Sequence, residues 1–493
     1  MIDRKGFSIR LEQHLIKIYG EVKTTQEIKQ LSNDLLEFVE SKIKKDPFKI
    51  VNSLEKWSEN DVILISYPDS IIEEKRKPLA TLKKFLDKHC VNMISIVHIL
   101  PFFPSSSDQG FSVEDYYSVN KNFGSWNDIK QISQKFSIMG DVVINHGSSK
   151  SKWFENFISG SGPGSKYFLT ADNNLDLSSV TRPRTSKLLS KVETVNGEKY
   201  VWCTFSEDQV DYDFENFEVL KEFISIISFY LDNGISVFRF DAVAFLWKKI
   251  GSSCVNLPET HEIVRLFRTV IDYLSPSAIL VTETNTPARE NVTYFGNANE
   301  AHWIYNFSLP PILIYTILKG DSSYLEKLTM SLPPAQLGAA YLNFIASHDG
   351  IGLRPCEGML SKNEIKKLIS KMSENGGEVS YRTNKDNKKA PYEINISLFD
   401  AMQETFTGNK DFHFERFLCI HIIMLSLEGV PAFYIHSLFG TKNDHNLYSK
   451  TNRKRDLNRH VFKIDNLKEI IDDENNHGSF IFYKLKSLIA IRK

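Results

Sequence analysis

Eight short apolar runs recur along this chain, at 62–67, 93–100, 139–145, 235–240, 279–282, 303–307, 341–346 and 432–435. Stretches with helical spacing lie between most of them, for example at 82–89, 219–231, 261–274 and 365–373. A run that is apolar throughout, rather than alternating, marks a strand buried on both faces, as in a parallel sheet. Eight such strands alternating with helices predict an α/β chain folded as a (β/α)8 TIM barrel. An open doubly wound sheet is the competing arrangement, but no GxGxxG follows the first run. The 493 residues exceed a bare barrel, so insertions must take up the excess.

The pattern divides the chain. Residues 1–57 read as an N-terminal helical extension, with Leu31, Leu35, Leu36, Phe38 and Val39 near helical spacing. The catalytic barrel is expected over 58–147 and 211–493. Residues 148–210 read as an inserted B domain, containing a Gly/Ser-rich stretch at 159–165 and the basic Arg182-Pro183-Arg184. A second long connection, 350–400, follows the seventh strand. Both leave the carboxyl ends of strands, so both should overhang the active face, where long loops carry function.

The strand ends hold the chemistry. The third run closes on Asn145-His146, the fourth on Arg239-Phe240-Asp241, the fifth on Thr282-Glu283 and the seventh on Ser347-His348-Asp349. Residues i and i+2 of a strand share a face, so Arg239 and Asp241 project together. A guanidinium beside a carboxylate favours its ionised form, and an ionised, oriented carboxylate can act as a nucleophile. Singly, such an Asp is more commonly a helix cap or turn former, and such a His a satisfied core residue. Three carboxylates and two histidines delivered by separate strands to one face are harder to explain that way. Paired carboxylates suit glycoside chemistry, one attacking the anomeric carbon and the other moving a proton. Metal binding competes for such clusters, but neither HExxH nor EF-hand spacing occurs, so neither a metal nor an organic cofactor is expected.

Charge and cysteine content narrow the class further. Lys and Arg total 60 against 61 Asp and Glu, so no bulk field suggests nucleic acid or a membrane surface as partner. The five cysteines (Cys90, Cys203, Cys254, Cys356, Cys419) are scattered without a CxxC pair, which fits a reducing cytoplasm. The first fourteen residues lack the apolar core of a signal peptide, and no uninterrupted apolar run approaches the ~20 residues of a membrane span.

The segments DVVINH, FRFDAV, TETN and ASHDG resemble the four conserved regions of the α-amylase superfamily of retaining α-glycosidases. Further motifs extend the resemblance to its sucrose phosphorylase subfamily: HILPFFPSSSDQGFS, FGSWNDI, RPR, SLPPILI, HDGIG, GVPAFY and KTNRKRDLNRH, over about residues 60 to 460 and in the family's order. The resemblance implies Asp241 as nucleophile, Glu283 as general acid and then base, and Asp349 as stabiliser of the transition state. It implies that Arg239 holds Asp241 ionised and that His146 and His348 contact sugar hydroxyls. Asp108 and Arg459 would close over the far edge of the glucose, with Phe111 as the platform beneath it. Arg182 and Arg184, in the family's RPR motif, would meet the phosphate and leaving-group site, since a planar guanidinium suits phosphate oxygens.

The implied reaction transfers a glucosyl group from an α-glucoside to inorganic phosphate, giving α-D-glucose 1-phosphate. The second long loop is more similar to members acting on glucosylglycerate or sucrose 6′-phosphate than to sucrose phosphorylases proper. It carries Arg382, Lys385, Lys388 and Lys389 against Asp386 and Glu393, which suits an anionic leaving group. A hydrolase or transglucosylase would keep the same carboxylates. A silent carbohydrate-binding protein would be expected to lose one of the three, and none is missing. Family members usually continue into a small antiparallel β domain after the barrel, and this sequence is expected to lack it.

Overall fold

The structure, a computed structural model, describes residues 3–43, 55–383 and 389–493. Lys385, Asp386 and Lys388 of the second loop lie outside the described residues. Eight parallel strands close a barrel in sequence order: β1 (Ile63–Ser66), β2 (Ile96–Ile99), β3 (Ser137–Val143), β4 (Ile235–Asp241), β5 (Ile279–Thr282), β6 (Trp303–Tyr305), β7 (Ala340–Phe344) and β8 (Val430–Tyr434). The expected (β/α)8 barrel is therefore the observed fold.

Their β-branched and aromatic side chains are buried nearly throughout, inward against the barrel interior and outward against helices such as Phe217–Asp232 and Pro258–Leu274. The run at 93–100 narrows to the four residues of β2, because Met93 and Ile94 instead close the preceding turn onto the Cys90 carbonyl, at 3.0 and 2.9 Å. The register aligns Asp141 of β3 with Arg239 of β4, and Thr282 of β5 with Phe240. The third, fourth and fifth strand ends thus come level at one rim.

Among the described residues two helices precede the barrel, α1 (Arg4–Tyr19) and α2 (Thr25–Lys42). A capping box between Thr24 and Glu27 starts α2. α1 packs on helix Pro258–Leu274: Phe7 stacks on Tyr273 at 3.8 Å, and His14 bridges Glu262 (2.7 Å) and Thr269 (3.0 Å). The two long connections stand on the carboxyl rim. The first begins with the antiparallel pair His146–Ser148 and Gln209–Asp211 and carries the hairpin Leu189–Thr194/Gly197–Trp202. The second contains helix Lys362–Glu374 and a three-stranded sheet of Ile351–Gly352, Lys389–Asn395 and Glu378–Thr383. No helix among the described residues is long and apolar enough to cross a membrane.

Candidate active site

The strand ends converge on one pocket, lined by Asp241, Glu283 and Asp349 together with Asp108, Phe111, His146 and His348. Arg239 lies beneath it. Its Nη1 meets Asp241 Oδ1 at 2.7 Å and also pairs with Asp141, its register neighbour on β3, which accepts from His98 at 2.9 Å. The guanidinium is thus fixed between two carboxylates before it serves the pocket. Next door on β5, the Glu283 amide donates to the Phe240 carbonyl (3.0 Å), and the Glu283 carboxylate accepts from the Ala242 amide (3.1 Å). Ala242 pays for that contact with a left-handed backbone (φ 55°), of the kind that clusters at functional sites.

The three carboxylates are pushed in different directions. Burial raises Asp241 well above the ordinary carboxylate range; Arg239 opposes this, and the charges of Glu283, Asp141 and Asp349 add to it. Glu283 is raised by burial as well, against the pull of Arg239. The two titrate as a pair that retains a proton more readily than an isolated acid. Arg239 touches Asp241 directly, which favours the ionised form without cancelling the rise. At Asp349 burial is outweighed, chiefly by Arg455 at 2.7 Å, and the group is held well below the usual range. Both histidines are driven toward the neutral form, first by burial. For His146 the tautomer follows from its neighbours. Lys248 donates to Asn145 Oδ1 (2.9 Å), so Asn145 Nδ2 faces His146 Nδ1 (3.2 Å) and favours Nε2–H, which donates to the Phe111 carbonyl (3.1 Å); Gln209 Nε2, 3.1 Å from the same nitrogen, opposes it.

Residues 93–469 match the α-amylase catalytic-domain family. The chain belongs to that family. It is 42% identical over 438 residues to a glucosylglycerate phosphorylase of Allomeiothermus silvanus, covering 88% of this chain and 79% of the relative. A glucosylglycerate phosphorylase of Spirochaeta thermophila is 37% identical over 484 residues, 98% of this chain and 82% of that one. Among solved structures, the sucrose 6F-phosphate phosphorylase of Thermoanaerobacter thermosaccharolyticum superposes with a TM-score of 0.78 at 25% identity, covering 90% of this chain and 88% of that one.

Within this α-amylase-family pocket the expected residues are not all placed alike. Arg182, Arg184 and Arg382 line it as well. Arg182 spends an N–H on the Ser186 carbonyl. Arg184 has no hydrogen bond or ion pair among the described residues; its guanidinium lies over the rings of Tyr392 (5.1 Å) and Phe205 (5.9 Å). Arg382 pairs with Glu357 at 2.9 Å. Phe111 stacks on His348, with centroids 5.3 Å apart. Arg459 lines an adjacent cavity with Tyr67 and Gln109 rather than this pocket. Its Nε donates to the His348 carbonyl (2.9 Å), and its guanidinium covers Tyr67 (5.2 Å).

Sequence reasoning missed Arg455, which grips Asp349 and makes two 2.9 Å bonds to Glu393 on the Lys389–Asn395 strand. The signal was present, since Arg455 lies inside the RDLNRH motif already singled out. It also missed Gln209, whose Nε2 donates to Asp108 Oδ2 at 3.1 Å. No pattern in the sequence distinguishes that glutamine.

Proposed function

We propose that the chain is a retaining α-glucoside phosphorylase whose donor is a glucosylglycerate-like α-glucoside. In the first step the Asp241 carboxylate attacks the anomeric carbon, and Glu283 gives its proton to the departing oxygen. This leaves a β-glucosyl ester on Asp241 and a neutral hydroxyl on the leaving group. In the second step a phosphate oxygen attacks the same carbon from the vacated side. The Asp241 ester bond breaks, and the proton of the attacking oxygen passes to Glu283. Two inversions give α-D-glucose 1-phosphate. Asp349, held ionised by Arg455, faces the positive charge that builds on the sugar ring. His146 and His348 contact sugar hydroxyls, Phe111 is the platform, and Asp108 reads the far edge of the ring.

The observation that carries this reading over a hydrolase is Arg184. A guanidinium in the pocket wall, lying over two rings and without a carboxylate partner among the described residues, suits an anion that hydrolysis does not need. It suits phosphate in the second step and, in the first, the carboxylate of a leaving group such as glycerate. In this reading the 148–210 insertion supplies the anion site and the 350–400 region frames the leaving group. The names of the 42% and 37% identical relatives support the choice of glucosylglycerate. The test is incubation with phosphate and, separately, glucosylglycerate, glucosylglycerol, sucrose and sucrose 6′-phosphate, with assay of glucose 1-phosphate and NMR of its anomeric form. We expect the fastest release from glucosylglycerate and an α-phosphate. Glucose without phosphate dependence would replace the reading by hydrolysis, and a β-phosphate would exclude double displacement.

A further inference from the structure

Asp208 accepts from an unusual number of hydroxyls. Its Oδ2 receives Ser106 (2.5 Å), Ser112 (2.9 Å) and, in close contact, Ser107. Its Oδ1 receives Ser149 (2.7 Å) and Ser148 (3.3 Å). A carboxylate offers about four lone-pair sites, so the five hydroxyls within reach more than fill it, and Ser106 and Ser112 have other acceptors beside it. Three come from the loop after β2, and the other two, Ser148 and Ser149, from the start of the long connection after β3, whose far end carries Asp208. The backbone joins in, for the Asp208 carbonyl accepts from the Ser149 amide at 3.0 Å.

The turn gripped in this way is strained. Asp108 and Gln109, next to Ser107, both have left-handed backbones (φ 51° and 48°), and Gly110 follows at 109°. A Cβ on Gly110 would stand 2.7 Å from Pro101, so only glycine fits there. Two consecutive left-handed residues that are not glycine persist only where the surroundings over-determine them. Gln109 donates to Asp456 (3.0 Å), and Asp108 accepts from Gln209, the neighbour of Asp208. The turn also closes on itself, with the Ser106 amide on the Ser112 carbonyl (3.1 Å) and the Phe111 amide on the Asp108 carbonyl (3.2 Å), and the serines on Asp208 tie it to the rest of the wall.

We propose that Asp208 is a positioning residue for sugar recognition: its carboxylate gathers the serines of the two loops and so holds the strained turn that presents Asp108 to the glucosyl group. It touches no substrate and acts through Asp108. The inference rests on the proposed function only in placing Asp108 against the sugar.

A double-mutant cycle tests it, with α-glucosyl fluoride and phosphate as substrates. In the wild-type background Asp208→Asn should lower kcat/KM by roughly ten- to a hundredfold, the size of a lost charge-assisted contact. In an Asp108→Ala background the same change should cost under about threefold, because the contact it positions is already gone. Equal costs in both backgrounds would overturn the proposal, since a merely structural role is additive. If Asp208→Asn does not fold, Ser106→Ala with Ser149→Ala removes one hydroxyl from each loop and should show the same non-additivity at smaller size. Amide hydrogen exchange reads the clamp without turnover. Exchange over 105–112 and 146–149 should quicken by about tenfold or more in the variant while the barrel strands stay protected. Unchanged exchange there would refute the clamp. A wild type that turns over no donor would refute the phosphorylase reading and leave the exchange result to judge the clamp.

Discussion

On one side of the pocket, His146 and Gln209 are 2% and 3% exposed and bonded to residues of the loops that follow β2 and β3. On the other side, Arg184 is held by two aromatic rings, and Arg382, on the Glu378–Thr383 strand of a hairpin, by the exposed carboxylate of Glu357. The first wall is a closed hydrogen-bond network in which each partner fixes the next. In the second, Arg184 has no hydrogen bond or ion pair among the described residues. A glucosyl group shared by every donor can be read by a rigid wall, whereas the group that is exchanged must be met by one with uncommitted charge. Arg455 joins the two, with one end on Asp349 and the other on Glu393 of the hairpin.

If that division holds, substitutions at the reacting centre and first wall should hurt all donors alike, and substitutions in the second should change ratios between donors or acceptors. The largest effect is expected for Asp241→Asn, which should cut turnover at least ~10⁴-fold for every donor, because nucleophile losses typically cost several powers of ten. Single-turnover kinetics with the fold checked by circular dichroism decides it; activity above about a percent of wild type would remove Asp241 from its role.

Arg455→Ala should come next, at roughly a hundredfold in kcat/KM, and it carries a pH signature. Arg455 is the chief group that depresses Asp349, so its removal raises the pKa of Asp349. A step that needs Asp349 ionised then fails at higher pH, and the acid limb of the kcat/KM profile should move up. Stability runs the same way. A depressed carboxylate stabilises the fold above its unfolded pKa and loses that contribution as pH falls through the folded value, so the variant should lose thermal stability at neutral pH. An acid limb that stays in place would mean that Arg455 serves the hairpin alone.

Arg184→Ala should raise the KM for phosphate and for glucosylglycerate by ten- to a hundredfold, from ~1.5–3 kcal/mol for a charge-assisted hydrogen bond. Turnover of α-glucosyl fluoride in the absence of phosphate should hardly change. An equal loss in both assays would place Arg184 in the sugar wall. The smallest effect is expected for Arg382→Ala. Its pairing with the exposed Glu357 limits it to ~0–1 kcal/mol, or at most about fivefold in the preference for glucosylglycerate over glucosylglycerol. A larger shift would show that Arg382 leaves Glu357 for the substrate.

The barrel was legible because strands buried on both faces have to be apolar along their whole length, and that pattern survives without tertiary information. Arg239 and Asp241 were legible because strand geometry puts i and i+2 on one side. Arg455 was harder, since its partners Glu393 and Asp349 are 62 and 106 residues distant in the chain, and nothing local marks the pairing. Arg459 was legible only as part of a motif. Its motif suggests the rim of the pocket, but which side of the Asp108–Gln109 turn it occupies depends on the His348 carbonyl and the Tyr67 ring.

By itself, then, the sequence determined the strand order, the rim at which the carboxylates gather and the two insertions above it, because all of these follow from local periodicity and chain length. Only the tertiary structure decided how charge is apportioned among those groups. That depends on which arginine ends within about 3 Å of which carboxylate and on how much water is excluded between them, and both are set by long-range packing that no local pattern records.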